Sequence, residues 1–265
     1  MSFLWLATLS ALRILRRNPL RAGLTMLGII IGIGAVVAMV SLGQGATASV
    51  QAEIASLGTN VMIIVPGATT VGGVRGGLGS ISTLTVADAE DIRTKVGSAS
   101  MVIYGTRSVL QVIRENKNWS TIVVGTTPEF PDIRSWPITQ GNFFTQSDMD
   151  SAAKVVVLGK TAAQNLFEPG EEMVGAEIRI KNTPLRVIGV LAPKGQSISG
   201  QDQDDLVVLP FSTAERKVLG TKFLGTVGII LVATQTRYEI PAAVADIKEL
   251  LRARHHLPAQ EEDDF

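Results

Sequence analysis

The 265-residue chain has no cysteine, and this excludes disulfide frameworks, thiolate metal sites and cysteine nucleophiles together. Histidine is almost as rare, occurring only at His255 and His256. Neighbours in sequence cannot share a helix face as a ligand pair four residues apart would. Charge is sparse, with Asp, Glu, Lys and Arg at 18%, below the usual quarter. Twenty-four basic residues balance twenty-four acidic ones, so no global positive field exists to hold nucleic acid by counterion release. No G-x-S-x-G, H-E-x-x-H or comparable catalytic set occurs. The expectation is a non-catalytic protein with no cofactor, no metal and no nucleic-acid partner.

Apolar residues are plentiful by contrast, at 46% with a mean hydropathy of +0.29, and they are unevenly spread. No charged side chain occurs between Arg21 and Glu53. Leu20 to Leu42 is almost wholly Leu, Ile, Val, Met, Ala and Gly apart from Arg21. At about 1.5 Å per residue this run makes roughly 34 Å of helix, enough to cross a hydrocarbon core about 30 Å thick. Arg13, Arg16, Arg17 and Arg21 lie at or before its start and no basic residue follows until Arg75. The positive-inside rule therefore places the N-terminus in the cytoplasm and everything after about Gly43 outside. Ala46-Thr47-Ala48 has the form of a signal-peptidase site, but the apolar run exceeds a signal peptide's usual core and about twenty residues precede it.

Residues 1–19 read as an amphipathic helix on the membrane surface, with Ser2, Ser10, Arg13, Arg16 and Arg17 on one side and Phe3, Leu4, Leu6, Leu12, Ile14 and Leu15 around the rest. Asn18-Pro19 breaks it. Within the span, Gly28 and Gly32 stand four apart with Gly34 nearby. Small residues at this spacing let helix backbones approach in lipid, although glycine is also simply commoner in membrane helices.

Residues 43–257 have the composition of a mixed α/β domain, and 258–265 read as a solvated acidic tail. Asn60–Val65 is a buried strand ended by Pro66, followed by a mobile stretch, 67–82, with six glycines and one charge. Thr85 caps a helix to Val96, with Asp88 three residues on and an apolar stripe at Val86, Ala89, Ile92 and Val96. Strands follow at 101–104, 109–113 and 121–124, with 115–118 as the turn before the last. Pro128 to Phe144 reads as a long packed loop. A second run contains a strand at 154–158, a helix at 161–167, strands at 177–180 and 185–191 joined across Asn182-Thr183-Pro184, strands at 206–209 and 228–233 around a short helix at 212–218, and an amphipathic helix at 241–254. The fold class is α/β (α+β): one transmembrane helix, 20–42, followed by a two-lobed mixed domain.

Three features imitate chemistry. Val155-Val-Val-Leu-Gly159-Lys160-Thr161 resembles a nucleotide loop, but Lys154 stands where the first Walker A glycine belongs, and without that bend the backbone cannot wrap a phosphate. Asp202, Asp204 and Asp205 lack the glycine and glutamate offsets of a calcium loop. Asn118-Trp119-Ser120 is a glycosylation sequon, which matters only in a eukaryotic secretory route.

The stretch Asn18-Pro-Leu-Arg-Ala-Gly-Leu-Thr-Met-Leu-Gly-Ile-Ile-Ile-Gly-Ile-Gly-Ala-Val-Val-Ala-Met-Val-Ser-Leu-Gly-Gln-Gly45, continuing to Ser56-Leu-Gly-Thr-Asn60, closely resembles the opening of MacB/FtsX-type ABC transporter permeases. Val157-Leu-Gly-Lys-Thr161, Leu166-Phe167, Val174-Gly175, Val187-Ile-Gly-Val190 and Val208-Leu-Pro210 are similar to that family's periplasmic core domain. The resemblance implies an inner-membrane permease subunit acting as a homodimer, or with a related permease, alongside a cytoplasmic ABC ATPase and a possible periplasmic adaptor. ATP-driven closure would move the periplasmic lobes in export, efflux or lipoprotein handling. Too few residues precede the span for a Walker A, so the ATPase is expected on another chain. The family's three later membrane helices have no counterpart here, which suggests a truncated or split permease. The alternative is a membrane-anchored periplasmic interaction module without transport.

Overall fold

The computed structural model describes residues 5, 19–56, 60–67, 70–71, 74–75, 83–197, 200–220, 224–258 and 260–265. It divides into two compact units, Met1–Ala52 and Glu53–Phe265. The surface helix expected over 1–19, with Arg13, Arg16 and Arg17, lies outside the described residues except for Trp5 and Pro19.

The first unit is built on α1, Pro19–Ser56. Proline at its first position costs nothing, because that N–H has no intrahelical partner. Leu24, Leu27, Ile30, Ile33 and Val36 succeed one another around the axis, and each is more than half exposed. A helix apolar on every side, with none of its Pro19–Gly45 segment buried, suits lipid rather than water. The Thr25 hydroxyl donates to the Arg21 carbonyl, so this polar group brings its own partner into the span. The 38 residues of α1 run about 57 Å at ~1.5 Å each. The helix therefore continues unbroken past Leu42.

The second unit begins with β1 (Val61–Ile64), β2 (Thr70–Val71) and β3 (Val74–Arg75). It continues with α2 (Val86–Lys95), β4 (Ala99–Arg114), β5 (Lys117–Thr126), α3 (Phe130–Ile133) and β6 (Ile138–Gly141). Next come α4 (Gln146–Asp150), β7 (Val155–Leu158), α5 (Lys160–Leu166), β8 (Glu177–Ile180) and β9 (Thr183–Leu191). The unit ends with β10 (Leu206–Pro210), α6 (Phe211–Thr213), β11 (Ile229–Thr234) and α7 (Ile240–Arg254). Nine of these strands form one sheet in the order β1-β11-β4-β5-β10-β7-β9-β6, with β8 pairing both β4 and β9. The β5–β10 and β7–β9 pairs are parallel and the others antiparallel. The domain is mixed α/β, as the sequence implied.

Several elements differ from the sequence reading. The strands expected at 101–104 and 109–113 are one strand, β4, turning into β5 through Glu115-Asn116 with Glu115 at φ 49. Gly105 is not a break within it. A Cβ there would lie 2.6 Å from the Gly125 carbonyl oxygen, so the glycine permits close strand approach. β1 is an edge strand with Ile63 exposed rather than a buried one. The loop expected at 128–144 contains α3 and β6. The glycine-rich stretch contains one antiparallel pairing, Thr70↔Arg75 and Val71↔Val74. The join at 182–184 is tighter than expected, because Thr183 and Pro184 already pair in β9 and Lys181 makes the turn at φ 52. The helix at 212–218 is α6 followed by a π-helical turn, Ala214–Leu219.

Strand alternation sorts the core onto two faces. Val102 and Tyr104 of β4 join Ile230 and Val232 of β11 beneath α2 and α7. Further along the same face Val112, Val123, Val156, Leu158, Val207 and Leu209 pack under α5 and the π-helical turn. β4 runs through both clusters, so in place of two separate lobes residues 53–265 form one compact unit on a single sheet. The opposite face carries Ile103, Val155, Val157, Leu206, Val208 and Leu231, covered by Phe130, Trp136 and Phe144.

Candidate functional site

In α1, Gly28, Gly32 and Gly34 have nothing within 4 Å of where a Cβ would sit. Nothing among the described residues of this chain fills the notch that Gly28 and Gly32 make on one face, and Gly34 lies about 200° around the helix from Gly32. Arg21 is exposed at the start of the helix.

The apparent nucleotide loop is a packing device. Gly159 N donates to Leu206 O at 2.9 Å and Thr161 N to Asp204 O at 3.2 Å, so amides that a phosphate would need are already engaged. A Cβ on Gly159 would lie 2.3 Å from Asp204 O, which is why glycine stands there. The aspartates beside it fasten the neighbouring loop. Asp204 accepts from Lys194 N at 2.7 Å and Gly195 N at 2.9 Å. Asp202 accepts from Thr161 Oγ1 at 2.6 Å and Asp204 N at 2.9 Å, and Asp205 takes the Trp119 indole N–H at 2.8 Å.

His255 and the acidic run form a clasp at the end of α7, and no side-chain partner of His256 appears among the described residues. Asp88, 2% exposed, closes the capping box of α2 with Thr85 and receives Arg254 Nε at 2.6 Å. Burial opposes its ionisation, but the Thr85 and Arg254 donors outweigh it and hold the carboxyl below its usual range. His255 Nδ1 lies 2.7 Å from Asp264 Oδ1. Asp263 pairs with Lys248 at 2.7 Å and with Arg252. Thr83 Oγ1 and Gly67 N both donate to Asp264 O at 2.7 Å. The run read as a solvated tail is therefore solvated only in part, because Asp263 and Asp264 are bound.

On the opposite sheet face a groove of about 410 Å³ lies between the strands and residues Ser197 and Gln201–Gln203. Phe130, Trp136 and Leu206 line it together with Arg107 and Arg134. The Lys194 ammonium sits 4.8 Å over the Trp136 ring and donates to Arg134 O at 2.7 Å. Burial first, and the Arg134 charge second, lower the Lys194 pKa to about 8. Sequence reasoning missed this groove, because its residues come from five separate segments.

The described residues present an apolar helix, unburied over Pro19–Gly45, ahead of a mixed sheet domain. The chain belongs to the MacB-like periplasmic core domain family, whose model matches residues 22–250. It is 36% identical to the macrolide export ATP-binding/permease protein MacB of Syntrophobacter fumaroxidans over 97% of this chain and 43% of that protein. It is 39% identical to the MacB of Rhodospirillum rubrum over 92% of this chain and 36% of that protein. The chain thus spans less than half the length of these relatives. The crystal structure of the periplasmic region of MacB from Actinobacillus actinomycetemcomitans superposes with a TM-score of 0.64 at 26% identity, covering 77% of this chain and 87% of that one. The extracellular domain of the noncanonic ABC-type transporter YknZ from Gram-positive bacteria shares the fold, at 18% identity and a TM-score of 0.56, over 65% of this chain and 84% of that one. The resemblance read from the sequence holds.

Proposed function

We propose that the chain is a permease component of a MacB/FtsX-type ABC transporter, passing ATP-driven motion from a cytoplasmic ABC ATPase to a periplasmic domain in export, efflux or lipoprotein handling. The carrying observation is α1, apolar on every side and unbroken to Ser56, at the head of a MacB-like domain. A helix transmits displacement because its backbone hydrogen bonds make it stiff along its length. The basic residues before the span, Arg13, Arg16, Arg17 and Arg21, anchor its cytoplasmic end against anionic lipid. Gly28 and Gly32 are the packing surface for a second copy or a related permease, and the sheet domain is where a periplasmic adaptor docks.

Because the chain lacks cysteine, single cysteines report cleanly. Tyr238, 87% exposed, changed to cysteine should react with a membrane-impermeant maleimide in intact spheroplasts. Labelling only after permeabilisation would invert the orientation and remove the proposal. Gly28→Cys should cross-link to a dimer under oxidation, and Ile30→Cys, about 200° away around the helix, should not. With the partner ATPase present, changing Gly28 and Gly32 together to Leu should abolish stimulated ATP hydrolysis. Unchanged coupling would take both glycines out of the mechanism.

A further inference from the structure

A guanidinium withdrawn from water is normally matched by a carboxylate, because the desolvation is otherwise uncompensated. Arg134 departs from that pattern. Its Nε is buried with no hydrogen-bond partner, and burial is the cause that lowers its pKa, with no acid opposing it. Arg107, exposed on the same groove, makes no ion pair among the described residues. Lys194 adds a third positive group behind Trp136. Two acids lie close, and both are engaged. Asp204 is bound by the amides of Lys194 and Gly195, and Asp202 by Thr161 and the amide of Asp204. Three positive groups, Arg107, Arg134 and Lys194, therefore stand against the carboxylates of Asp202 and Asp204 over a floor of Phe130, Trp136 and Leu206, and Arg134 itself has no acid paired with it.

We propose that this groove binds a small organic anion with a flat apolar body, an aromatic carboxylate or sulfonate. The head would pair with Arg134 and Arg107, which offer planar donors suited to a carboxylate. The body would lie on the aromatic floor. At about 410 Å³ the groove falls within the range of roughly 300–1,000 Å³ typical of small-molecule sites. The anion supplies the partner that Arg134 and Arg107 lack among the described residues, and apolar burial supplies the rest of the affinity.

The test uses the full chain in nanodiscs of zwitterionic lipid, with empty nanodiscs subtracted, and isothermal titration of three matched probes: 2-naphthoate, 2-naphthylmethanol and 2-naphthylmethylammonium. Naphthoate should bind saturably at one site, with the alcohol and the ammonium at least about tenfold weaker, the scale of one charge-assisted pair. Arg134→Gln and Arg107→Gln should each weaken naphthoate about tenfold, on the same reasoning. Bound naphthoate should also raise the Lys194 titration midpoint above its starting value near 8, a response that apolar partitioning would not produce. Equal affinity for the three probes, no saturable naphthoate binding, or unchanged affinity in Arg107→Gln would each overturn the proposal. The exposed position of Arg107 keeps the test decisive if Arg134→Gln does not fold. A glutamate-rich peptide that binds more tightly than naphthoate and is not displaced by it would assign the groove to an acidic protein segment instead.

Discussion

Asp88→Asn probes the clasp with almost no change of shape. In the native protein one oxygen of Asp88 receives Arg254 Nε at 2.6 Å, and the other receives Thr85 N at 2.8 Å and Thr85 Oγ1 at 2.7 Å. An amide keeps one acceptor and turns the other into a donor. It must therefore face either Arg254 or the Thr85 cap with the wrong group. Breaking a buried pair from one side costs about 3–5 kcal/mol, and the 30% exposure of the Arg254 side chain places this site at the lower end, about 3 kcal/mol. For a domain of roughly 200 residues that is a fall in Tm of about 6–12 °C. The pH dependence has a definite sign. The folded pKa of Asp88 lies below the ordinary 3.8, so the carboxylate's contribution is complete above the unfolded value and fades as pH falls through the folded one. The deficit of Asp88→Asn should thus be full at pH 7 and shrink below about pH 4. Thermal melts of both proteins across that range, followed by circular dichroism, test the account. A pH 7 deficit under about 1 kcal/mol, or one that grows on acidification, would refute the assignment of Asp88 as a charged keystone.

Three further outcomes follow from packing and charge. Leu158→Ala, at a fully buried position between β10 and β9, should cost about 3–5 kcal/mol in denaturant unfolding, and a loss under 1 kcal/mol would mean that this core is loosely packed. Gly159→Ala places a methyl 2.3 Å from Asp204 O and should cost at least about 2 kcal/mol; ATP should leave the melting of the native protein unmoved, whereas an ATP-dependent rise would revive the phosphate reading. The Lys194 ammonium should titrate near pH 8 by nitrogen-detected NMR. Because burial depresses its folded pKa, the penalty for holding it charged is relieved as pH rises above 8, and a midpoint near 10.5 would show the site to be wetter than its burial implies.

Local chemistry was legible in the sequence, and tertiary company was not. The uncharged stretch that became α1 needs no neighbours to be recognised, and the Thr85 and Asp88 spacing marks the start of α2 because a capping box is a local bargain among four residues. The strand Glu177–Ile180 appears where its alternation of charged and apolar residues puts it. β4 was read as two strands because Gly105-Thr-Arg-Ser108 looks like a turn. Only the carbonyl of Gly125 on the neighbouring strand explains that glycine. The aspartates at 263 and 264 looked like solvated charge because Arg252 and His255, their partners, sit on α7 with nothing in the spacing to announce the pairing. The basic groove was invisible for the same reason: Arg107 and Arg134 are ordinary surface residues until the sheet sets them beside one another.

The Asp264 carbonyl holds Gly67 and Thr83 at once, so the polypeptide's exit from its first strand is moored to residues almost two hundred positions later. A pull on Asp264 is therefore felt first where the chain leaves β1, the edge strand of the nine-stranded sheet. One carbonyl thus ties the strand that opens the sheet to the segment that follows its last helix.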